Sequence, residues 1–458
     1  MKKLLCILLS CLMLASVFAL PASAADDAFV PVLRFIAASD THVRSDSDTT
    51  CIRIEKMLSQ GYALADGDAA YNKLDALLVA GDLTNDGTKE EFDKFWSYVS
   101  GSLREGTQFL GVVAKNHDGY VMPRKELRQN FTDLTGLDAD FHKVIGGYHF
   151  IGLSASDTDG VHYTKAQLSW LREQLDAAVA EDPAKPVFVT HHEHNRNTVY
   201  GSSSYEGWGV TFFNDILNAY PQVVDFSGHS HYPLNDPRSL WQGGYTAVGT
   251  GAIYYSEFTI DDTRTYHPED SGDTATYWVV EVDAGNRLRL RGMDVEANGQ
   301  LCEYVLDAPA DPANREYTPE KQAARSKAPV FADGAALQFE PVEGGCKVLI
   351  PAAESSDGMP VVLYRVSVVN KSGVTVEKKW ALPKYYLADG AQITECTLDG
   401  LSGGEYTVSV VAETAYGVQS EPITGNTGIE GVGAFVGFFL YLGRLFRQFF
   451  AAIKMLFV

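Results

Sequence analysis

Basic charge is scarce in this chain. Its 37 Lys and Arg residues face 59 Asp and Glu, a formal net charge of −22. Such a body repels phosphate backbones, and no basic patch offsets the repulsion, so nucleic acid is excluded as an expected partner. Cysteine is scarce as well. Cys6 and Cys11 sit in the first 24 residues, and the others, Cys51, Cys302, Cys346 and Cys396, are scattered with no CxxC pair. That spacing argues against a thiolate zinc site. Cys346 and Cys396 fall in two strand candidates of one domain, where a disulfide is conceivable but not implied. There is no Gly-x-Ser-x-Gly, since Gly201-Ser-Ser-Ser-Tyr205 departs from it. A serine nucleophile is therefore not expected.

What is present begins at the N-terminus. Lys2 and Lys3 precede an apolar stretch from Leu4 to Leu20, and Ala22-Ser23-Ala24 offers small residues for cleavage. This pattern predicts a signal peptide over residues 1–24 and a secreted, extracellular protein. The 458 residues suffice for two or three domains. From Val32 to Val305 short apolar runs alternate with amphipathic helical stretches, which predicts an α/β domain over residues 25–307. Thr88 with Glu91, and Thr164 with Gln167, have the spacing of capping boxes. Residues 308–328 are rich in Pro, Ala and charge, without periodicity, and read as a linker. Over 329–424, Cys346–Ile350, Val361–Val369, Ile393–Leu398 and Tyr406–Ala412 predict an all-β sandwich. The tail, 431–458, is apolar but carries Arg444, Arg447 and Lys454 along one helical stripe. It predicts a helix lying on a membrane surface, attaching the protein to the outer face of the cell envelope.

The chemistry lies in five apolar runs, each ending in polar side chains: Asp40-Thr41-His42, Gly81-Asp82, Asn116-His117-Asp118, His191-His192 and Gly228-His229-Ser230-His231. In open α/β sheets ligands gather outside the carboxyl ends of strands, so these segments can converge. Asp40 and His42 are two apart, as are His229 and His231, and extended backbone would point each pair one way. Imidazoles, carboxylates and a carboxamide suit zinc, manganese or iron better than calcium. The set is too large for one tetrahedral ion and sufficient for two, with Asp82 as the natural bridge. Alone, His191-His192-Glu193-His194 reads equally well as a surface patch.

As a set, these segments resemble the calcineurin-like metallophosphoesterase family, whose pattern runs DxH, GDxxD, GNH(D/E), a strand-end His and GHxH. The resemblance covers Phe35 to His231 by motif. It implies a four-layer α/β/β/α sandwich and a phosphoesterase with two divalent metal ions, hydrolysing a phosphate-ester substrate by attack of an activated water; with the leader, the expectation is a secreted enzyme. By the same resemblance Asp40, His42, Asp82 and His231 hold one ion, and Asp82, Asn116, His191 and His229 the other. His117 is the catalytic histidine and Asp118 the acid that orients it. Lys115 departs from the pattern, standing where Gly is usual. The segment from Leu398 to Tyr406, with Val408, Val410 and Ala412 alternating behind it, resembles a fibronectin type III module, and Tyr406 matches its corner tyrosine. Two alternatives stay open: a phosphodiesterase of cyclic-nucleotide type rather than a monoesterase, and a non-catalytic surface-binding protein with a degenerate metal site.

Overall fold

The computed structural model describes residues 29–430 except 262, 389 and 391. The expected leader (1–24) and tail (431–458) lie outside the described residues. None of the described helices is long and apolar enough to cross a membrane.

The first domain is built on two six-stranded sheets. One contains β1 (Pro31–Ala38), β2 (Ala76–Ala80) and β3 (Gln108–Val112) in parallel. The other is centred on four parallel strands and edged by antiparallel ones. It comprises β4 (Asp140–Ile145), β5 (Tyr148–Leu153), β6 (Val187–Thr190), β9 (Val223–Ser227), β10 (Leu240–Gln242) and β11 (Thr246–Gly249), in the order β10-β11-β9-β6-β5-β4. Between β6 and β9 a short parallel pair forms, β7 (His194–Asn195) with β8 (Gly209–Val210). The chain then makes a hairpin, β12 (Phe258–Ile260) and β13 (Thr263–Tyr266). It returns to the first sheet as β14 (Thr276–Asp283), β15 (Leu288–Asp294) and β16 (Gly299–Leu306), giving the order β16-β15-β14-β1-β2-β3.

Every residue of β2, β6 and β9 is buried, as parallel strands covered on both faces require. Between the sheets, the Phe35 ring of β1 meets Phe150, Phe188 and Phe226 of the second sheet at centroid distances of 5.1, 4.9 and 5.7 Å. Helices cover the outer faces. On the first sheet lie α1 (Thr49–Asp66), α2 (Lys89–Ser102) and α3 (Arg124–Thr135), whose Leu58, Phe95 and Phe131 join its core. On the second lie α4 (Lys165–Glu181) and the single turn α5 (Asn214–Leu217), with Leu171, Leu175 and Leu217 packed on Val187, Val189 and Val223. The layers are α/β/β/α, as expected. Both predicted capping boxes form, at Thr88–Glu91 and at Thr164–Gln167.

One charge cluster ties β1 to β14 and β15. Arg34 and Glu281, both fully buried, sit opposite one another and pair at 2.7 Å, and Arg289 reaches the other Glu281 oxygen at 2.6 Å. Arg34 also pairs with Asp68 at 2.5 Å, so removing Glu281 leaves the buried guanidinium with one carboxylate and strips Arg289 of its own. Glu281→Ala is expected to lower unfolding stability by about 1.5–3 kcal/mol, the worth of a hydrogen bond to a charged group. Urea denaturation measures it, and an unchanged midpoint would show that Asp68 and the nearby carbonyls compensate Arg34 without Glu281.

The connector differs from the linker expectation. It contains a 3₁₀ turn (Pro312–Asn314) and α6 (Pro319–Arg325), the latter capped by the Thr318 side chain. Arg315 donates to the Gly244 carbonyl at 2.9 Å, and Gln242 N–H donates to the Tyr317 carbonyl at 3.1 Å. These polar anchors fasten it to the β10–β11 edge. Such contacts have no sequence period, so nothing in the sequence announced them.

The C-terminal domain is an all-β sandwich. One sheet has β18 (Gln338–Val342), β19 (Gly345–Pro351) and β23 (Ile393–Asp399). The other has β21 (Val361–Asn370), β22 (Thr375–Ala381), β24 (Gly404–Thr414) and β25 (Ile423–Ile429), in the order β22-β21-β24-β25. A short pair, β17 (Val330–Phe331) with β20 (Ala353–Glu354), flanks them. Val348, Ile350 and Leu398 of one sheet pack on Val366, Val408 and Val410 of the other. The Tyr406 hydroxyl donates to the Ser402 carbonyl at 2.7 Å, a corner contact within the chain's own turn. Cys346 and Cys396 stand on adjacent strands but opposite Leu398 and Val348 respectively, and both are free thiols. The two domains meet where Phe258 packs on Tyr386 (4.9 Å) and Tyr266 on Trp380 (4.9 Å), with Asp261 accepting from Arg365 at 3.1 Å.

Candidate metal centre

The polar side chains singled out in the sequence emerge at the carboxyl ends of β1, β2, β3, β6 and β9. The chain turns sharply there. Asp40, His42, Asp82, His229 and His231 all have left-handed backbone, with φ of 52°, 42°, 49°, 76° and 57°. Non-glycine residues hold that conformation at a cost of order 1–3 kcal/mol each, which the surrounding fold must offset. The β1 and β2 loops brace each other: Asp40 N–H donates to the Gly81 carbonyl and His42 N–H to the Asp82 carbonyl, each at 3.0 Å. Two glycines permit the crowding. A Cβ on Gly81 (φ +85°) would lie 2.7 Å from His192 Nδ1, and one on Gly228 would lie 2.3 Å from Asp40 Oδ2.

Two clusters result. In the first, His231 Nε2 lies 3.1 Å from Asp40 Oδ1 and 3.1 Å from His42 Nε2, and His42 Nε2 lies 3.8 Å from Asp82 Oδ2. In the second, His192 Nε2 lies 3.1 Å from Asp82 Oδ2 and 3.1 Å from His229 Nδ1. Asn116 Nδ2 donates to Asp82 Oδ2 at 2.8 Å. Asp82 thus belongs to both. The left-handed turns, rather than strand alternation, aim these side chains: Asp40 and His42 share the first cluster, while His229 and His231 part to different ones.

The donor set fits cations. The Ala80 carbonyl, 2.8 Å from His192 Nδ1, can only accept, so Nδ1 carries the proton and Nε2 of the neutral ring presents a lone pair. That lone pair faces a carboxylate oxygen and a second imidazole nitrogen, both acceptors unless a proton or a metal lies among them. A carbonyl fixing the tautomer of a ligand is the usual support of a metal-binding histidine. Asp82 Oδ1, Asn116 Oδ1 and the Nδ1 atoms of His42 and His231 are buried without hydrogen-bond partners. Such groups are costly unless something fills the site.

The electrostatics reflect the same crowding. Burial alone would raise the Asp40 carboxyl, but the neighbouring His231, His192 and His42 hold it well below the usual range. Burial and then His231 push His42 down to about 3, and burial and then His192 push His229 down to about 4. Burial would lower His192 too, yet the Asp82 carboxylate raises it well above the usual imidazole value. Burial, then Asp82, lifts Asp118 to about 6.

Two expectations are corrected. His191 does not enter the site: its ring stacks on Phe213 at 4.2 Å, and its Nε2 meets Asp225 at 3.1 Å in the layer beneath α4 and α5. His192 takes its place. The signal was present in β6, where Val187 and Val189 face the helices and Phe188 the inter-sheet core, so period-two alternation puts His191 on the helix side. Asp118 does not orient His117. Its carboxylate accepts from Thr84 N–H (2.9 Å), Thr84 Oγ1 (2.8 Å) and Ala114 N–H (2.9 Å). What holds His117 is the Asn85 carbonyl, 2.8 Å from Nδ1. Asp118 instead ties the loop at Thr84 to the end of β3 at Ala114. A backbone acceptor leaves no mark in a sequence. The surface-patch reading of the histidine run also fails, since His191, His192, Glu193 and His194 are all buried. Lys115 is exposed beside Asn116.

Similarity to known proteins falls on the same segments. Residues 33–233 match the family model of the calcineurin-like phosphoesterases. A 3′,5′-cyclic-nucleotide phosphodiesterase of Nostoc sp. (strain PCC 7120) is 29% identical over 171 residues, which cover 36% of this chain and 59% of that relative. Among solved structures, a purple acid phosphatase from yellow lupin (Lupinus luteus) seeds has a TM-score of 0.42 at 14% identity, covering 60% of this chain and 53% of that one. A 5′-nucleotidase described as putative, from Staphylococcus aureus, has a TM-score of 0.36 at 12% identity, covering 57% and 54%. The chain spans little more than half the length of these proteins. The match over residues 33–233 supports the α/β fold of a calcineurin-like phosphoesterase domain, with Asp and His groups that could hold metal for phosphoester hydrolysis.

Proposed function

We propose that this protein hydrolyses phosphate esters at a dinuclear metal centre. Asp40, His42, Asp82 and His231 would hold one ion, and Asp82, Asn116, His192 and His229 the other. The observation that carries this reading is the meeting of His192 Nε2, His229 Nδ1 and Asp82 Oδ2 within 3.1 Å contacts, with the His192 tautomer fixed by a carbonyl. When bound, two divalent ions supply an acidified water and disperse charge on the phosphoryl oxygens. His117 supplies the mobile proton. Its Nδ1 is committed to the Asn85 carbonyl, so Nε2 is the nitrogen left to pass a proton to the leaving ester oxygen. Zinc, manganese and iron all suit these ligands.

A phosphodiesterase of cyclic-nucleotide type is the second reading, favoured by the Nostoc relative. A degenerate scaffold is disfavoured, because each ligand position is filled and converges. We further read the C-terminal sandwich as a fibronectin type III-like domain, on its two sheets and the Tyr406 corner, and the protein as secreted. The test is metal analysis of the purified full chain, then assay of phosphomonoesters and phosphodiesters with manganese or zinc. Substoichiometric metal and no turnover on either class would refute the enzyme reading.

A further inference from the structure

The imidazoles of the centre are bordered by aromatic rings from three separate loops. Tyr120 follows β3 and lies 4.7 Å from His117. Trp208, in the segment between β6 and β9, stands perpendicular to His229 at 5.0 Å. Tyr254 and Tyr255 follow β11 and lie 5.2 Å from His42 and 4.4 Å from His231. The two tyrosines of the last pair are half-buried and touch one another at 4.9 Å, which suits a packing role. Tyr120 and Trp208 differ. Tyr120 is 59% exposed and precedes Val121, itself 65% exposed. So open a ring adds little to packing and leaves much of its surface free to meet a ligand at the polar centre. Trp208 is half-buried, and its Nε1–H donates to the Tyr232 hydroxyl at 3.2 Å, which fixes the indole in place.

A phosphate ester bound at the two clusters would have its substituents within reach of these rings, because each ring touches an imidazole of the site. We propose that the substrate carries a flat aromatic group close to phosphorus, a nucleobase or an aryl ring, and that Tyr120 and Trp208 select it by stacking. The proposal rests on the phosphoesterase reading and adds the class of the organic group. Stacking of a base on an aromatic side chain is sequence-tolerant and strong enough to decide between esters, since every base has a π-face. It needs no hydrogen-bond code in the loops.

The test uses the full chain loaded with manganese, and compares the parent with Tyr120→Ala, Trp208→Ala and Trp208→Phe. The substrates are 3′,5′-cyclic AMP and adenosine 5′-monophosphate (nucleobase), p-nitrophenyl phosphate (aryl) and glycerol phosphate (no ring). Titration calorimetry with adenosine, which lacks phosphorus, reads ring binding without turnover, and competition by p-nitrophenol separates aryl from nucleobase preference. The expected result is a KM for ring-bearing esters raised roughly tenfold by each alanine, the usual worth of one stacked ring. That rise should be at least five times the rise for glycerol phosphate, with Trp208→Phe largely restoring it and adenosine affinity falling in parallel. Equal effects on ring-bearing and ringless esters would reduce both residues to supports of the imidazoles and overturn the proposal. So would failure of both adenosine and p-nitrophenol to bind the parent. Absence of hydrolysis with every ester would instead count against the phosphoesterase reading, while the binding arms would still decide the ring.

Discussion

His117→Ala is expected to leave both metal ions bound and to lower turnover by roughly 10²–10⁴-fold, the range lost with a positioned general acid. The ring lies edge-on to His42 at 4.3 Å, and one of its nitrogens falls within 4.8 Å of ligand atoms of His42 and Asp82. It is therefore next to the reacting group. Its Nδ1 is tied to the Asn85 carbonyl, as Nδ1 of His192 is to that of Ala80, so one nitrogen of the ring is held in place. Alanine removes the proton donor and leaves the two clusters as they are. Elemental analysis and steady-state kinetics on the same preparation separate the possibilities. Activity within threefold of the parent would remove the acid role; loss of one metal equivalent would make His117 a ligand.

Asp82→Asn should have the largest effect on metal content of any single change. Asp82 Oδ2 contacts His192 and Asn116 while lying 3.8 Å from His42, so one carboxylate serves both clusters. Its negative charge offsets repulsion between two adjacent cations, and a neutral amide cannot. Binding of the pair is expected to fall below one equivalent, with activity lost alongside. The two neighbouring histidines give the positional control. His192→Ala should cost about one equivalent of metal, whereas His191→Ala should cost none and destabilise the layer where it stacks on Phe213. Two full equivalents in Asp82→Asn would remove the bridging role, and metal loss in His191→Ala would restore the original assignment.

The corrected assignments share a physical cause. Residue type and order along the chain told which segments carry ligands, because apolar runs ending in Asp, Asn or His are a local pattern. Which of two adjacent histidines enters depends on the face of β6 that each inherits, and that face is set by helix α4 packing on Val187 and Val189. Alternation could have found His192. The role of Asp118 was beyond sequence, because its three partners are backbone groups and a hydroxyl brought close by two different loops. The structured connector escaped notice for a similar reason: Arg315 and the Gln242 N–H donate to backbone carbonyls, which every residue has.

By itself the sequence determined the alternation of strands and helices, both capping boxes, the β-sandwich behind them and the chemical identity of the donors. These depend on side-chain periodicity and on neighbours within a few residues. The tertiary structure alone decided how the donors divide into two clusters. His229 and His231 are two residues apart yet serve different clusters, because both sit in left-handed turns that the packed sheets impose. It also decided that Asn85 holds His117 and that Tyr120 and Trp208 border the site. Contacts of that kind join loops far apart in the chain, and their geometry is fixed only when the two sheets close on one another around Phe35.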